Sequence, residues 1–569
     1  MASEVILGRS LSSDMVVGSN LRGRVSGGGW LYALPRLAFG RAVCVGVPAE
    51  PTLAALARAA ARVLVLSPDA HARTRLAELA EREGWAGVTT AAGPEAAATG
   101  ATDATGDAGF DLLVVAGRAP AAWAERTAAG LALVLAPACI AYVEPARRLA
   151  AIPWSAPVLE LRVTPRLGET RAIVPAGDAA MHAAFRRLGL DGTIPRRPIL
   201  SHIGRRLGPF LAGRLAARSA AVVGEEYGRP AAPPRYVREV AAAGGYDLSG
   251  WRWGVAARGD YDTQKVLILL APPGEAVPTG LVKVTRAAEL SARLENETAA
   301  LSSLSALPIA AGRTPAAWFA GRHAGRALLG ESLVLGCPFS GHARWTPDCP
   351  GLADALGWLD DLGAATARPA SSADVAGALL ALLDRYDRVY RPASAELHAL
   401  RSQFETIGGP EAPVPTVFQH GDPGIWNLLV DARGRTVFLD WESAEPLGMP
   451  LWDALYFFRS YAIAASRRAG VRDRLEAASR HLLNRSVLGD RFVSWVHDHR
   501  RRIGLQPDAV EPLVYGCWVH RSLKEATRLP PDRLDEGQFV RLVRRMIATP
   551  DAPTLVRLRE PATAAGETR

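Results

Sequence analysis

Short, continuously apolar runs alternate with amphipathic stretches along the first third of the chain. Residues 42–47 (AVCVGV) are apolar throughout, followed by a Pro-containing turn and a predicted helix over 52–61. A second run at 63–66 ends in Ser67-Pro68-Asp69, and a helical stretch through Leu79 follows. Residues 87–92, 111–115 and 131–135 continue the alternation. Buried strands alternating with helices predict a parallel, doubly wound sheet. Residues 96–109 (AAATGATDATGDAG) are low in complexity and read as a loop. From 158 to 175 the pattern is strand-like (VLELRV, TRAIVP), either extending the sheet or starting a connector.

An Arg-rich stretch at 186–218 and the Pro-rich RPAAPPR at 229–235 mark a boundary. Beyond it, 251–255, 265–270 and 280–284 read as strands, 288–304 as a helix, and 327–335 as further strand. After Gly341 the pattern turns helical, interrupted at 417–441. The expected organisation is an α/β domain over 1–175, an Arg/Pro-rich connector over 176–235, a small strand-rich lobe over 236–337 and a larger helical lobe over 338–569, with a cleft between the lobes. Such a chain is multidomain, a doubly wound α/β half followed by a two-lobed α+β half.

The chain has 569 residues, 49% hydrophobic and 22% charged, enough to bury several cores and too apolar for global disorder. No apolar run reaches the length of a membrane span, and the N-terminus lacks the order of a secretory signal. Five scattered cysteines, none in a CxxC pair, argue against a disulfide framework or zinc knuckle. The expectation is a cytoplasmic protein with no transmembrane segment. The net charge of +9 is concentrated: between Arg186 and Arg218 eight arginines face one acidic residue, Asp191. That distribution does not suit nucleic acid. It fits either solvent-facing arginines on a connector or a surface for an acidic partner. Of 66 basic residues only Lys265, Lys283 and Lys524 are lysines, which singles out each as a place where arginine does not serve.

Chemistry concentrates in FQHGDPGIWNLLVDARGRTVFLDWESAEPLGMPLWDALYF. His420-Gly421-Asp422 is followed five residues after the Asp by Asn427, then a strand, a turn at 431–434, a second strand and Asp440. Phosphoryl transfer from ATP needs one carboxylate at the attacking hydroxyl and oxygen ligands for Mg²⁺. A loop and a tight hairpin can bring Asp422, Asn427 and Asp440 around one phosphate.

The segment is similar to the phosphotransferase pattern HxDxxxxN followed by a metal-binding Asp, in the form HGD…N…DW. On that ground residues 236–547 resemble the aminoglycoside phosphotransferase-like family, relatives of protein kinases that phosphorylate small-molecule hydroxyls. The resemblance implies that Asp422 orients the acceptor hydroxyl and accepts its proton, and that Asn427 and Asp440 hold Mg²⁺. It further implies that His420 supports the loop and Asp453 braces it. In kinase-like enzymes a strand lysine holds the nucleotide phosphates and pairs with a helix glutamate. Lys283, in GLVKV, is the candidate, with Glu297 as its partner and Glu295 as the rival. The phosphate-covering loop would be ARGDYDTQ, with Gly259 and Asp260 near the phosphates, though it holds one glycine and not three. By order along the chain, ESLVLG, with Glu331 and Leu333, would be the hinge that pairs with adenine.

The acceptor is less determined. Glu442, Glu445, Asp360 and Asp361 could form a negative wall for a cationic amine, or could be solvated helix and loop charges. Trp426, Trp441, Trp452, Tyr456 and Phe457 fit a core. In the N-terminal half, AVCVGVPAEPT…RVLVLSPD resembles the first strand-loop-helix of S-adenosylmethionine-dependent methyltransferases, where an acidic residue after strand two binds the ribose. Only Gly46 remains of the glycine pattern, Pro48 and Pro51 stiffen the turn, and Asp69 falls past the strand end, so a degenerate cofactor site is expected. The expected function is an ATP- and Mg²⁺-dependent O-phosphotransferase acting on a small molecule: an aminoglycoside-like compound, sugar, amino alcohol or natural-product intermediate. The alternatives are an inactive nucleotide-binding or scaffolding protein and a bifunctional methyltransferase-kinase.

Overall fold

The computed structural model describes residues 28–95, 109–115, 118–131, 135–146, 156–164, 170–190, 217–224, 232–257, 264–407 and 413–560. The chain divides into two compact units. One holds the residues up to Glu295 together with Ala317–Leu333, and the other holds Asn296–Ala316 and the chain from Val334 onward.

The first unit is built on one sheet of thirteen strands. In chain order these are β1 (Phe39–Val45), β2 (Ala60–Leu66), β3 (Val88–Ala91), β4 (Phe110–Val115), β5 (Leu135–Val143), β6 (Val158–Thr164), β7 (Ala172–Pro175), β8 (Arg218–Val223), β9 (Arg252–Ala256), β10 (Val266–Ala271), β11 (Gly280–Val284), β12 (Ala317–His323) and β13 (Arg326–Ser332). β3, β2, β1, β4 and β5 are parallel neighbours, the doubly wound order in which strand succession reverses beside β1. Val43, Cys44 and Val45 are wholly buried, which is why β1 reads as a solid apolar run and not as an alternation. The helices between these strands start on sequence signals. Pro51 stands in the first turn of Glu50–Ala59, and Asp69 caps Ala70–Arg82 by accepting the N–H groups of His71 and Ala72.

Beyond β5 the sheet turns antiparallel. β8 pairs with both β5 and β6, β6 with β7, and β7 with β9 through Ala172–Ala256 and Ile173–Val255. β9, β10, β11, β13 and β12 continue it. The strands at 158–175 therefore extend the sheet. The expected connector over 176–235 differs from the structure: it contributes the helix Ala179–Arg187 and strand β8 to this unit. Arg218, at the end of the Arg-rich stretch, is engaged with Glu144 at 2.6 Å and with Thr170 at 2.8 Å, and does not face a partner. Residues 191–216 lie outside the described residues, so the acidic-partner expectation for most of that stretch falls there. One apolar core runs along the sheet, from Val63 and Val65 through Trp253 and Val255 to Phe319 and Leu328. The Tyr236 hydroxyl donates to the Tyr32 carbonyl within that core at 2.9 Å.

The second unit is mainly helical. Its long helices are Pro350–Thr366, Ser372–Tyr390, Ser394–Glu405, Trp452–Arg468, Val487–Ile503 and Val510–Ala526. Small strands punctuate them: β14 (Cys337–Pro338), β15 (Arg368–Ala370), β16 (Val414–Gln419), β17 (Leu428–Val430), β18 (Thr436–Phe438) and β19 (Glu445–Gly448). Trp452–Arg468 buries residues on every face, as a central helix does. No helix of the described residues is long and apolar enough to cross a membrane.

Candidate active site

β16 is buried along its whole length and delivers His420 into the helical unit, fully buried. The His420 Nδ1 accepts the Asp422 N–H at 3.2 Å, which leaves Nε2 to donate to the Leu439 carbonyl at 2.9 Å. Its ring lies 4.3 Å from that of Trp441. Gly421 follows at φ +79°, where a Cβ would stand 1.9 Å from the Ser443 carbonyl oxygen. Only glycine fits that bend. Asp453, in the first turn of Trp452–Arg468, accepts the N–H groups of His420 at 2.5 Å and Gly421 at 3.0 Å. Burial pushes its carboxyl above the usual range, opposed by His420 and these two donors.

The bend presents Asp422, whose side chain is 31% exposed. Asn427 Nδ2 donates to the Asp422 carbonyl at 2.9 Å and to its Oδ2 at 3.3 Å, while the intervening Ile425 N–H is held by Ser460 Oγ. The hairpin of β17 and β18 returns the chain, and the Leu439 N–H donates to the Asn427 carbonyl at 2.9 Å. Asp440, the next residue, has φ +66°. A non-glycine residue held in that region stores strain of order 1–3 kcal/mol, which the surrounding hydrogen bonds must offset. Asp354 anchors the hairpin, accepting from Thr436 N–H and Oγ1 and taking both Nη groups of Arg313. Its carboxyl is lowered: burial raises it, and the Arg313 and Thr436 hydrogen bonds outweigh that.

The structure thus brings Asp422 and Asn427 into contact and joins Asp440 to them through the Asn427–Leu439 backbone bond. With its Nδ2 spent on Asp422, Asn427 keeps its amide oxygen as a donor to a cation, and Asp440 adds a carboxylate. Two protein oxygens are what a Mg²⁺ shared with phosphates and water requires, and a full protein cage is not. Among the described residues no group of three or more His, Cys, Asp or Glu could hold a metal unaided.

The residues expected at the nucleotide sit on β11, on the helix Ser291–Ser305 and at the end of β13. Lys283 is buried on β11 with its Nζ 2.9 Å from Glu331 Oε1. Glu331 is expected at the hinge by its order along the chain alone. It sits inside β13, its backbone opposite Leu281 on one side and Ala317 on the other, and its side chain is buried. The Leu333 N–H is taken by the Thr279 carbonyl, so it is not open to a base. Glu297 is fully buried, and its Oε1 accepts the Trp441 N–H at 3.1 Å, directly after Asp440. Asn296 beside it donates to the carbonyls of Glu442 and Ala444. Glu295, the rival, pairs with Arg322 at the surface. Gly259 and Asp260 lie outside the described residues.

Of the proposed negative wall, Asp360 and Asp361 are engaged instead by Arg502, and Asp360 also by His499. Trp441, Trp452, Tyr456 and Phe457 are buried, as a core reading requires, whereas Trp426 is 59% exposed beside the Asp422 loop. Sequence reasoning missed Arg521, from Val510–Ala526, whose Nη1 lies 3.3 Å from Asp422 Oδ1. Ninety-nine residues separate the pair, and in an arginine-rich chain no local signal marks it.

Residues 253–485 match the model of a phosphotransferase enzyme family. Solved structures are similar at low identity. A choline/ethanolamine kinase family protein from Mesorhizobium loti is 17% identical, over 57% of this chain and 99% of that one, with a TM-score of 0.34. The aminoglycoside phosphotransferase APH(3'')-Id from Streptomyces rimosus is 18% identical, over 49% and 97%, with a TM-score of 0.29. WbdD is 13% identical, over 90% and 88%, with a TM-score of 0.22. No curated protein matches the chain.

Proposed function

Since residues 253–485 match the model of a phosphotransferase enzyme family, we propose that the chain moves the γ-phosphoryl group of ATP onto a hydroxyl of a small molecule. The observation that carries this reading is the Asp422–Asn427 contact on a single loop, with Asp440 tied in by the hairpin. Asp422 orients the acceptor hydroxyl toward phosphorus and takes its proton as the new O–P bond forms and the bond to the departing ADP breaks. Bound Mg²⁺ would neutralise charge on the phosphates, held by the amide oxygen of Asn427 and the carboxylate of Asp440. His420 and Asp453 keep the loop in place. Lys283 is the phosphate-binding lysine of this reading, a compact and buried point charge.

For the α/β part we read a nucleotide-binding type of fold, methyltransferase-like, without turnover. In doubly wound sheets the ligand crevice opens where strand order reverses, here between the carboxyl ends of β1 and β4. At that point Val47 and Arg118 exchange both backbone hydrogen bonds, at 3.1 and 2.9 Å, closing the two loops onto each other. Asp69, the candidate ribose ligand, is occupied as a helix cap.

The test is a panel of hydroxyl compounds (amino sugars, sugars, amino alcohols) incubated with labelled ATP and Mg²⁺, followed by mass spectrometry of products. One or more compounds should gain a phosphoryl group, and MgATP should raise the unfolding temperature. Absence of both effects overturns the proposal. S-adenosylmethionine should leave the unfolding temperature unchanged, and a clear rise would restore a second active site.

A further inference from the structure

Arg521 lies beyond the residues matched by the phosphotransferase family, on the helix Val510–Ala526. It nevertheless reaches Asp422 from outside the loop, as Tyr456 also does. Nη1 stands 3.3 Å from Asp422 Oδ1, and Nη2 donates to the Gly421 carbonyl at 2.8 Å. The guanidinium carbon lies over the Tyr456 ring, 3.4 Å from its centroid. The side chain is only 4% exposed. A cation buried to that degree is retained only where its partners compensate the lost hydration. Burial alone would favour losing the proton, yet Tyr456 and Asp422 outweigh it and hold the guanidinium charge more firmly than usual.

We propose that Arg521 is a positioning residue for phosphoryl transfer, fixing the plane of the Asp422 carboxylate. The two carboxylate oxygens are held from opposite directions, Oδ2 by Asn427 within the loop and Oδ1 by Arg521 from the helix. A carboxylate held by one oxygen can rotate about its Cβ–Cγ bond. Held by both, it offers a fixed lone pair to an incoming hydroxyl, and small misalignments of reacting groups are costly in rate. The second fork of the guanidinium grips the Gly421 carbonyl, so the same side chain fixes both the backbone bend and the carboxylate that issues from it. Lysine keeps the charge but has no planar fork, and cannot satisfy both oxygens while stacked on Tyr456.

This inference rests on the reading of Asp422 as the residue that addresses the acceptor. Its test uses the full chain, MgATP, and water as the acceptor, with phosphate release as the readout. Arg521→Lys should lower kcat by about ten- to a hundredfold with KM for MgATP unchanged. Asp422→Asn is the control, and the double variant Arg521→Lys/Asp422→Asn should be no slower than Asp422→Asn alone, because the arginine acts through the carboxylate. A merely structural role would give multiplicative losses in the double variant, and that result overturns the proposal. Should Arg521→Lys fold poorly, judged by its unfolding temperature, Arg521→Gln enters the same cycle and is read in the same way. If Asp422→Asn is slow while Arg521→Lys turns over normally, the inference fails and the function stands. If Asp422→Asn turns over normally, both fall.

Discussion

Lys283 and Glu331 form a buried ion pair across β11 and β13, with Nζ 2.9 Å from Oε1 and side-chain exposures of 8% and 3%. The lysine proposed to meet nucleotide phosphates is therefore balanced by a carboxylate of its own sheet. Removing one partner of a buried pair strands the other charge and costs about 3–5 kcal/mol. Lys283→Met should lower the unfolding free energy by that order in denaturant titration, and adding Glu331→Gln should recover a large part of it. Neither variant should show the stabilisation by MgATP expected of the parent. Lys283→Arg should fold and yet show a raised KM for MgATP. Unaltered nucleotide kinetics in that variant would remove Lys283 from the site.

Asp453 carries two backbone N–H groups of the catalytic bend. Asparagine can accept only one of them and turns an NH₂ toward the other. Asp453→Asn should cost about 1–3 kcal/mol for the stranded donor. Because the bend carries Asp422, kcat should fall more steeply than nucleotide affinity does. Equal losses in the two, measured by steady-state kinetics and MgATP titration, would assign Asp453 to the general core.

Gly421 allows the same bend. Gly421→Ala places a methyl group against the Ser443 carbonyl at a positive φ, and should abolish turnover with the bulk of the fold intact by circular dichroism. An active Gly421→Ala enzyme would show that the loop has another conformation in solution.

Acid should weaken the fold from below about pH 6.5. Burial lowers His182 to about 4, with Arg162 adding to the effect, and lowers His520 well below its ordinary value, helped by Lys524 and Arg521. His323, His481 and His497 are lowered as well, each chiefly by burial. Neutral in the native state, these rings take up protons on unfolding, so the unfolded state gains stability as pH falls through the ordinary histidine value of about 6.5. The loss continues down to about pH 4, where His182 protonates in place. Asp453 acts in the opposite sense, since its raised carboxyl favours the native state as pH drops toward the usual carboxylate range. One carboxyl does not offset five imidazoles. Denaturant midpoints at pH 7.5, 6.5 and 5.5 should fall in that order, and His520→Phe, which keeps the stack on Trp452, should flatten the trend. A midpoint that rises on acidification contradicts this account.

What could be read from the sequence followed the range of the interactions. The His420–Asn427 bend was legible because His420, Asp422 and Asn427 lie within eight residues and their spacing is their geometry. β1, β10 and β11 were legible because buried strands are written as apolar runs. β8 was missed: six residues of modest hydrophobicity emerging from an Arg-rich stretch give no period to detect, and its partners β5 and β6 lie far upstream. β13 sets Glu331 against Lys283, a cross-strand neighbour that spacing along the chain does not point to. Glu297, chosen for its spacing, holds the Trp441 N–H. Arg521 is joined to Asp422 only by tertiary packing.

The seam of β7 and β9 is just two residue pairs wide, yet it decides whether the C-terminal portion could ever have an independent existence. A polypeptide starting at residue 236 would keep every group assigned to catalysis, but the outer rail of β9 would be bare. Its amides would be open to any neighbouring chain, and Trp253 would lose the part of its apolar core that residues before 236 supply. Such a fragment should associate more readily than the intact chain does, as sedimentation of the two would read. On that account the α/β portion is the flank that covers the β9 edge.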